Sequence, residues 1–245
     1  EFADRVAELV EKHVNINRLL ELTKPVATAV VPISAGRHIY KREPSFPIAV
    51  ACDPAFNFVY EANIRYLHHL GEVTYFSPLA DTSLPDAGFV YLPGGYPELY
   101  LAALSANRQM LQSIRRYVES GGKLLAECGG MMYLCDEIRD KNGDVYPMAG
   151  VLHQSATMEN MKLRLGYRTL LYNETRLKGH EFHYSRLVEQ QNPLPSCAVA
   201  YTAKGVETDT PLYHYKNVWA GYTHLYWADP VGNEWFTKFV IDGNI

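Results

Sequence analysis

Short apolar runs alternate with longer helical stretches from Pro47 onward, and this alternation restricts the fold more than any other feature of the sequence. Four runs have the apolar character of buried strands: "PIAVACD", "EVTYFSP", "AGFVYLPGG" and "KLLAE". The stretch "AFNFVYEANIRYLHHLG" predicts a helix that ends at Gly71, and "ELYLAALSANRQMLQSIRRYVESGG" predicts a long helix. Strands alternating with helices predict an α/β fold with a doubly wound, mostly parallel sheet flanked by helices.

The sequence changes in character beyond Pro147. It becomes rich in tyrosine and threonine, with short alternating runs such as "YRTLLYNE", "HEFHYSR" and "CAVAYTA". We expect these runs to be strands that meet at an edge of the sheet. A final helix is predicted for "VGNEWFTKFVID", which would pack on the core through Trp235, Phe236, Phe239 and Val240.

The first 46 residues differ from the rest of the chain. Apolar residues recur at roughly helical spacing between Phe2 and Leu22. The following segment, "TKPVATAVVPISAGRHIYKREPSFP", contains four prolines and a glycine, which interrupt helices and long strands. We therefore predict an N-terminal helical and linker extension ahead of the main domain.

Composition excludes several classes of function. The net charge is -4 and no lysine or arginine cluster matches a phosphate backbone, so nucleic acid is not an expected partner. The apolar runs are far shorter than the ~20 residues that cross a bilayer. The four cysteines lack CxxC spacing, which favours reduced thiols in a cytoplasmic protein and predicts no metal site.

Two glycine pairs follow predicted strands. Gly94-Gly95 comes after "FVYLP", and Gly129-Gly130 comes directly after Cys128. Ligands of parallel α/β sheets bind beyond the carboxyl ends of the strands, so we expect both turns to meet in one crevice.

Cys128 lies in the window "AECGG", between a buried strand and a helix predicted from about Gly130 to Glu137. Small neighbours allow the sharp turn on which a nucleophile is presented, and the helix N-terminus favours a thiolate. Cysteine is also a common buried hydrophobe, and the window alone does not separate the two interpretations. Backbone N–H groups near Gly94, Gly95 and Gly129 are candidate donors to an oxyanion.

A thiol nucleophile requires a base, and histidine is the usual one. His224, in "VWAGYTHLYWADP", follows a short apolar strand downstream of the cysteine. His153, His180 and His183 remain alternatives on periodicity alone. The HxxH spacing of His180 and His183 does not predict a metal site, because residues three apart on a strand point to opposite faces.

Four segments in this order, "YLPGGYPEL", "AECGGMMYL", "GHEFHYS" and "AGYTHLYWA", resemble the C-terminal glutamine amidotransferase domain of cobyrinic acid a,c-diamide synthases. The resemblance covers about Pro47 to Ile245 and implies a class I amidotransferase fold. It implies that Cys128 attacks the side-chain amide of glutamine with His224 as its partner. It also supports Gly95 and Gly129 as oxyanion-hole donors.

The sequence departs from the familiar class I triad, which ends in His-Pro-Glu. Here the motif reads His224-Leu225-Tyr226, so the group that orients the histidine is not identified. The cobyrinic and cobyric acid branch similarly lacks that glutamate. A dyad with a poorly held histidine is expected to hydrolyse glutamine slowly until a partner domain or acceptor improves its geometry. The "GHEFHYS" segment makes Glu181 and His183 candidate residues of the active crevice.

The resemblance also implies the wider reaction. Residues 1–46 correspond to the tail of an N-terminal ATP-binding domain and its linker, and residues 47–245 to the amidotransferase domain. No phosphate-binding glycine loop occurs in the chain, so ATP and Mg²⁺ are expected to bind the full-length synthase, which amidates two corrinoid carboxylates in cobalamin biosynthesis. Alternatives are an acceptor such as nickel sirohydrochlorin, a catalytically silent docking module, and a cysteine hydrolase of similar fold.

Overall fold

The structure is a computed structural model that describes residues 2–23 and 46–242. The chain consists of two compact units. The first unit, residues 1–39, contains helices α1 (Phe2–His13) and α2 (Ile16–Leu22). Asn15 separates the helices, and its side chain caps α2 by accepting a hydrogen bond from the Arg18 backbone N–H. The helical prediction for this segment is confirmed, whereas residues 24–45 of the predicted linker lie outside the described residues.

The second unit, residues 40–245, carries the other elements. Its helices are α3 (Glu61–Leu70), α4 (Leu101–Ala106), α5 (Arg108–Glu119), α6 (Gly129–Leu134) and α7 (Pro230–Thr237), with a 3-10 turn at Pro97–Leu99 and a π turn at Lys238–Asp242. Its strands are β1 (Pro47–Ala51), β2 (Glu72–Phe76), β3 (Phe89–Leu92), β4 (Lys123–Glu127), β5 (Glu137–Arg139), β6 (Val145–Pro147), β7 (Ser155–Thr157), β8 (Arg164–Tyr172), β9 (Thr175–His183), β10 (Arg186–Leu187), β11 (Val199–Thr202), β12 (Glu207–Thr208), β13 (Leu212–Tyr215), β14 (Val218–Gly221) and β15 (His224–Leu225).

The central sheet has six strands in the order β13-β14-β4-β3-β1-β2. All neighbouring strands pair in parallel except β13 and β14, which form an antiparallel hairpin at one edge. The predicted α/β fold with a doubly wound, mostly parallel sheet is therefore confirmed. All four strands that the sequence predicts before Cys128 belong to this sheet.

The inner strands β1, β3, β4 and β14 are buried on both faces, because helices cover each side of the sheet. In β3, Val90 and Leu92 pack with α4, α5 and α6, while Phe89 and Tyr91 pack with α3 and the C-terminal helix. Helix α5 contributes four buried apolar residues, each worth about 1.5–3 kcal/mol on burial. The alternation decides which side chains can meet on each side of the sheet.

The prediction that the tyrosine-rich runs lie at an edge of the central sheet is wrong. They form a separate five-stranded sheet in the order β12-β11-β8-β9-β15. Strands β8 and β9 are joined by a two-residue turn in which Asn173 and Glu174 both have positive φ, the conformation that matches the twist of a tight hairpin. A four-stranded sheet, β10-β7-β5-β6, completes the unit.

Three predicted helices have different limits in the structure. Helix α3 begins only at Glu61, because residues from Asp53 form turns. The long helix predicted ahead of β4 is divided at Asn107, whose side-chain amide donates to the carbonyls of Pro78 and Asp81 and whose Oδ1 caps α5. Helix α6 ends at Leu134, before a strand that sequence periodicity did not indicate.

The C-terminal helix packs as predicted. Trp235, Phe236, Phe239 and Val240 are all buried on the face of the sheet that Phe89 and Tyr91 share. Within the described ranges, no helix combines the length and apolar character needed to cross a membrane.

Candidate active site

Three neighbouring strands of the central sheet end at the same edge and carry the candidate residues. Strand β3 leads to Gly94, β4 leads to Cys128, and β14 leads by a short turn to His224. Because these strands are adjacent and parallel, their carboxyl ends lie side by side. The two glycine turns come together at this edge, because a Cβ on Gly129 would lie only 3.2 Å from Gly95 N.

Cys128 sits on a sharp turn between β4 and α6. Its φ is 48° and its ψ is -104°, a conformation that costs energy for a residue with a Cβ. The turn is held because the Cys128 N–H donates to the Gly221 carbonyl at 2.7 Å and its carbonyl accepts from Met132 N–H at 3.0 Å. Such strain at the end of a strand is typical of a presented nucleophile rather than of a packing cysteine.

The three glycines lie where a side chain has no room. A Cβ on Gly94 would lie 2.1 Å from His224 Cε1, and one on Gly95 would lie 2.1 Å from the Ala55 carbonyl oxygen. A Cβ on Gly129 would meet Pro97 Cδ at 2.8 Å and Gly95 N at 3.2 Å. The backbones of the two glycine turns thus approach each other directly beside Cys128.

His224 is only 3% exposed and is enclosed by aromatic rings. Phe58 lies 4.5 Å from it between ring centroids, and His180 stacks on it at 5.0 Å. The stacking follows from strand pairing, because His180 on β9 lies directly opposite His224 on β15. Tyr60 in turn forms a short hydrogen bond to His180 Nδ1, which fixes the second ring.

Among the described residues, the Cys128 thiol and the His224 imidazole are not hydrogen-bonded to each other. Cys128 Sγ instead lies 4.0 Å from the Phe182 carbonyl oxygen on β9. The catalytic hydrogen bonds of substrate-free enzymes are often long and tighten when substrate binds.

Burial controls the protonation of both groups. It raises the pKa of the Cys128 thiol to about 12, and the nearby Glu98 adds to this effect. Burial also lowers the pKa of His224 to about 3, with smaller contributions from His180 and His183. The hydrogen bond from the Gly129 N–H at the start of α6 lowers the pKa of Cys128, which is the direction expected for a helix N-terminus, but burial outweighs it.

Glu127 is a buried acid that sequence reasoning did not single out, although it lies within the quoted "AECGG" window. Its Oε2 accepts a hydrogen bond from the Tyr91 hydroxyl at 2.7 Å, and its Oε1 accepts one from the Leu225 N–H at 3.0 Å. The same Oε2 lies 4.0 Å from His224 Nδ1. Burial raises the pKa of Glu127 to about 8, while these two hydrogen bonds oppose the shift.

Glu181 and His183 both lie on the buried face of β9, on either side of the Phe182 carbonyl that faces Cys128. Glu181 is fully buried and forms an ion pair with Arg168 on the neighbouring strand, with 2.7 Å between Oε2 and Nη2. His183 stacks on Tyr222 at 3.8 Å, and burial lowers its pKa. His180 points to the other face, as the strand period predicts.

Two further observations bear on the candidate residues. His153 is largely exposed and contacts Asp136 and Tyr215 rather than the histidines around His224.

Asn63, a fully buried residue on α3, holds the segment after His224 by donating a hydrogen bond to the Leu225 carbonyl and accepting one from the Trp227 N–H. No local sequence signal marks Asn63, because its partners lie more than 160 positions away in the chain.

Among the described residues, no group of three or more histidine, cysteine, aspartate or glutamate side chains is arranged to hold a metal ion. The four cysteines are all free thiols.

Comparison with protein families gives a match to the CobB/CobQ-like glutamine amidotransferase domain over residues 47–231. The cobyrinate a,c-diamide synthase of Picrophilus torridus is 37% identical over 236 residues, which cover 91% of this chain and 49% of that protein. The hydrogenobyrinate a,c-diamide synthase of Pseudomonas aeruginosa is 40% identical over 185 residues, covering 73% and 41% respectively. The chain therefore spans half or less of the length of these relatives.

Comparison with solved structures supports the fold. A crystal structure of a glutamine amidotransferase superimposes with a TM-score of 0.52 at 16% identity, covering 79% of this chain and 98% of the other. At this level of identity the likeness concerns the arrangement of strands and helices alone.

Proposed function

Because this chain belongs to the CobB/CobQ-like glutamine amidotransferase family, we propose that it generates ammonia from glutamine for a cobyrinate a,c-diamide synthase. The observation that carries the proposal is the strained turn of Cys128 at the end of β4, beside the glycine backbones and the buried His224. A cysteine that only filled space would not require a positive φ.

The first step of the proposed reaction is attack by Cys128 Sγ on the side-chain amide carbon of glutamine. The S–C bond forms as the thiol proton moves to the imidazole of His224. Since burial keeps the thiol protonated and the imidazole neutral, this proton transfer accompanies attack rather than preceding it. In this proposal, bound glutamine brings the thiol and the imidazole within hydrogen-bond reach.

The negative charge on the amide oxygen is stabilised by backbone N–H groups of Gly95 and Gly129, with Gly94 holding the turn against His224. One such donor is typically worth about 3 kcal/mol of transition-state stabilisation. His224 then returns its proton to the amide nitrogen, the C–N bond breaks, and ammonia leaves. Water attacks the thioester, passes its proton through His224 to the sulfur, and releases glutamate.

Glu181 and His183 complete the crevice in this proposal. They flank the Phe182 carbonyl that lies beside the sulfur, and the ion pair of Glu181 with Arg168 fixes β9 against β8. We assign them to shaping the glutamine site.

The acceptor half of the reaction is proposed from the relatives. Their names specify cobyrinate or hydrogenobyrinate a,c-diamide synthases, so we propose that the ammonia is used to amidate two carboxylates of a corrinoid ring in cobalamin biosynthesis. Amidation of a carboxylate requires its activation, for which we propose ATP and Mg²⁺ bound to an N-terminal domain, with residues 1–46 as its tail and linker. The free thiols are compatible with a cytoplasmic setting.

The test of the glutaminase activity is direct. The chain is incubated with glutamine, and glutamate release is compared with that of Cys128→Ala, with Cys52→Ala as the matched control because that thiol is exposed. We expect release that depends on Cys128 and not on Cys52. Equal release from wild type and Cys128→Ala would identify the chain as a silent docking module instead.

A second assay separates an amidotransferase from a cysteine hydrolase of similar fold. A glutamine-analogue electrophile should label Cys128 while unrelated peptides remain uncleaved.

The acceptor is tested with a protein that joins this chain to an ATP-binding domain. Cobyrinate or nickel sirohydrochlorin is incubated with this protein, glutamine, ATP and Mg²⁺, and its mass is then measured by mass spectrometry. Mass gain on the nickel compound alone would contradict the corrinoid assignment.

A further inference from the structure

We propose that Glu127 positions His224 for catalysis: its carboxylate accepts the Nδ1–H of the imidazole and thereby leaves Nε2 to take the proton of the Cys128 thiol. The inference rests on the proposed glutaminase function and assigns the orienting role that the His224-Leu225-Tyr226 motif leaves open. In this arrangement the acid comes from the residue before the nucleophile, not from the segment that carries the histidine.

The carboxyl group is held in place from two sides. Tyr91 on β3 donates to Oε2 at 2.7 Å, and the backbone N–H of Leu225 donates to Oε1 at 3.0 Å. The second bond ties Glu127 to the residue that follows His224, so the carboxyl group and the imidazole keep a fixed relation. Tyr91 reaches Glu127 because both side chains project from the same face of adjacent strands.

The imidazole lacks the partner that this carboxyl group supplies. His224 Nδ1 is buried, and within the described residues it has no hydrogen bond. Glu127 Oε2 lies 4.0 Å away, so a contraction of roughly 1 Å gives an ordinary N–H···O hydrogen bond. A buried, unpaired nitrogen beside a fixed acceptor is the arrangement that a small closure on substrate binding would complete.

The tautomer explains why this contact matters. A base that takes a proton through Nε2 must carry its own hydrogen on Nδ1, and an acceptor at Nδ1 selects that form. A protonated Glu127 would not favour it, since its O–H donates to Nδ1 and selects the opposite tautomer. The ionised carboxylate is therefore the active form.

The surroundings of Glu127 give this requirement a pH signature. The titratable groups near it are Tyr91 on β3, Tyr60 before α3, His224 on β15 and the adjacent Cys128. Burial raises the pKa of Tyr60 and of Cys128 to about 12 and that of Tyr91 well above its usual value, and it lowers the pKa of His224 to about 3. Glu127, with a pKa of about 8, is thus the group that ionises near neutrality.

The experiment compares wild type, Glu127→Gln and the control Glu137→Gln over pH 6 to 9.5, approximately the range that brackets this ionisation. Glu137 pairs with Arg139 on β5 and takes no part in the site. We expect kcat to fall by about 100-fold in Glu127→Gln, the scale of a mispositioned base. The increase in kcat/KM as the pH rises through 8 should be absent from this variant and present in wild type and Glu137→Gln. Thermal melting of each variant separates this effect from misfolding.

A second variant and a second measurement keep the test decisive. Tyr91→Phe removes a donor that lowers the pKa of Glu127, so the rise in kcat/KM should move to higher pH. Labelling of Cys128 by a glutamine-analogue electrophile should show the same pH dependence. A Glu127→Gln protein with the kcat and pH profile of wild type would overturn the positioning role. Glutamate release by wild type that only equals release by Cys128→Ala would instead overturn the proposed function. Even in that case, labelling of Cys128 with the same pH profile in wild type and Glu127→Gln would refute the positioning role.

Discussion

Replacing Gly94 by alanine should disable the site through a single methyl group. Gly94 pairs with Phe58 in an isolated bridge, and its carbonyl accepts the Phe58 N–H at 3.0 Å. Its φ lies outside the left-handed region, so alanine meets no backbone strain there. The consequence of the substitution is therefore confined to what the new Cβ touches.

That Cβ would lie 2.1 Å from His224 Cε1 and 2.9 Å from Nδ1. Restoring an ordinary contact of about 3.4 Å requires the imidazole to shift by about 1.3 Å. The ring is enclosed by Phe58 and His180, so it cannot shift without disturbing them. A displacement of 1 Å can cost about 100-fold in rate, and overpacking a core typically costs about 2 kcal/mol.

The assay is glutamate release by Gly94→Ala together with its melting temperature. We expect kcat/KM to fall by about 100-fold and Tm to fall by roughly 6 °C for a domain of this size. Gly205→Ala is the matched control, because φ there is +75° but no atom lies within 4 Å of the added Cβ. It should lose about 1 kcal/mol of stability and no activity.

Wild-type kcat/KM in Gly94→Ala would refute the reasoning, because it would mean that the position of His224 does not limit the reaction. Comparable activity losses in Gly94→Ala and Gly205→Ala would point to general destabilisation and would equally contradict it.

Three further outcomes are expected. Asn63→Ala leaves two buried backbone groups unpaired at about 1–3 kcal/mol each, so urea denaturation should show a loss of roughly 2–6 kcal/mol in the free energy of unfolding, with reduced glutamate release. Arg168→Met leaves the Glu181 carboxylate buried and unpaired and should lower the free energy of unfolding by about 3–5 kcal/mol. The double variant with Glu181→Gln should restore much of that stability. A larger loss of stability in the double variant would contradict this account. Without glutamine, iodoacetamide should alkylate Cys128 more slowly than the exposed Cys52 at pH 8, because burial raises the pKa of Cys128 to about 12. Peptide mass spectrometry should show the rate of Cys128 alkylation rising as the pH increases.

Much of the central sheet could be predicted from the sequence. Strands β1, β3 and β4 are short apolar runs bounded by turn residues, and strands buried on both faces of a parallel sheet require that composition. The limits of the helices were less predictable. Asn107 divides one predicted helix by bonding to Pro78 and Asp81, which are close only after folding.

The second sheet was not predictable from local pattern. Residues of β8, β9 and β11 alternate as strands in the sequence, but alternation does not specify which strands pair. The pairing of β15 with β9 has the largest functional consequence, because it places His180 against His224.

The sequence by itself indicated the family of this protein and the alternation of strands and helices that precedes Cys128, and it supplied Gly94, Gly95, Gly129 and His224 as candidate partners of the cysteine. These follow from local residue types, which reflect the backbone turns and apolar faces that a segment requires. Only the tertiary structure decided the protonation of Cys128 and His224, because burial depends on every element packed around them. It also decided that Glu127 faces His224, since that contact requires β4, β14 and the segment after β14 to lie together.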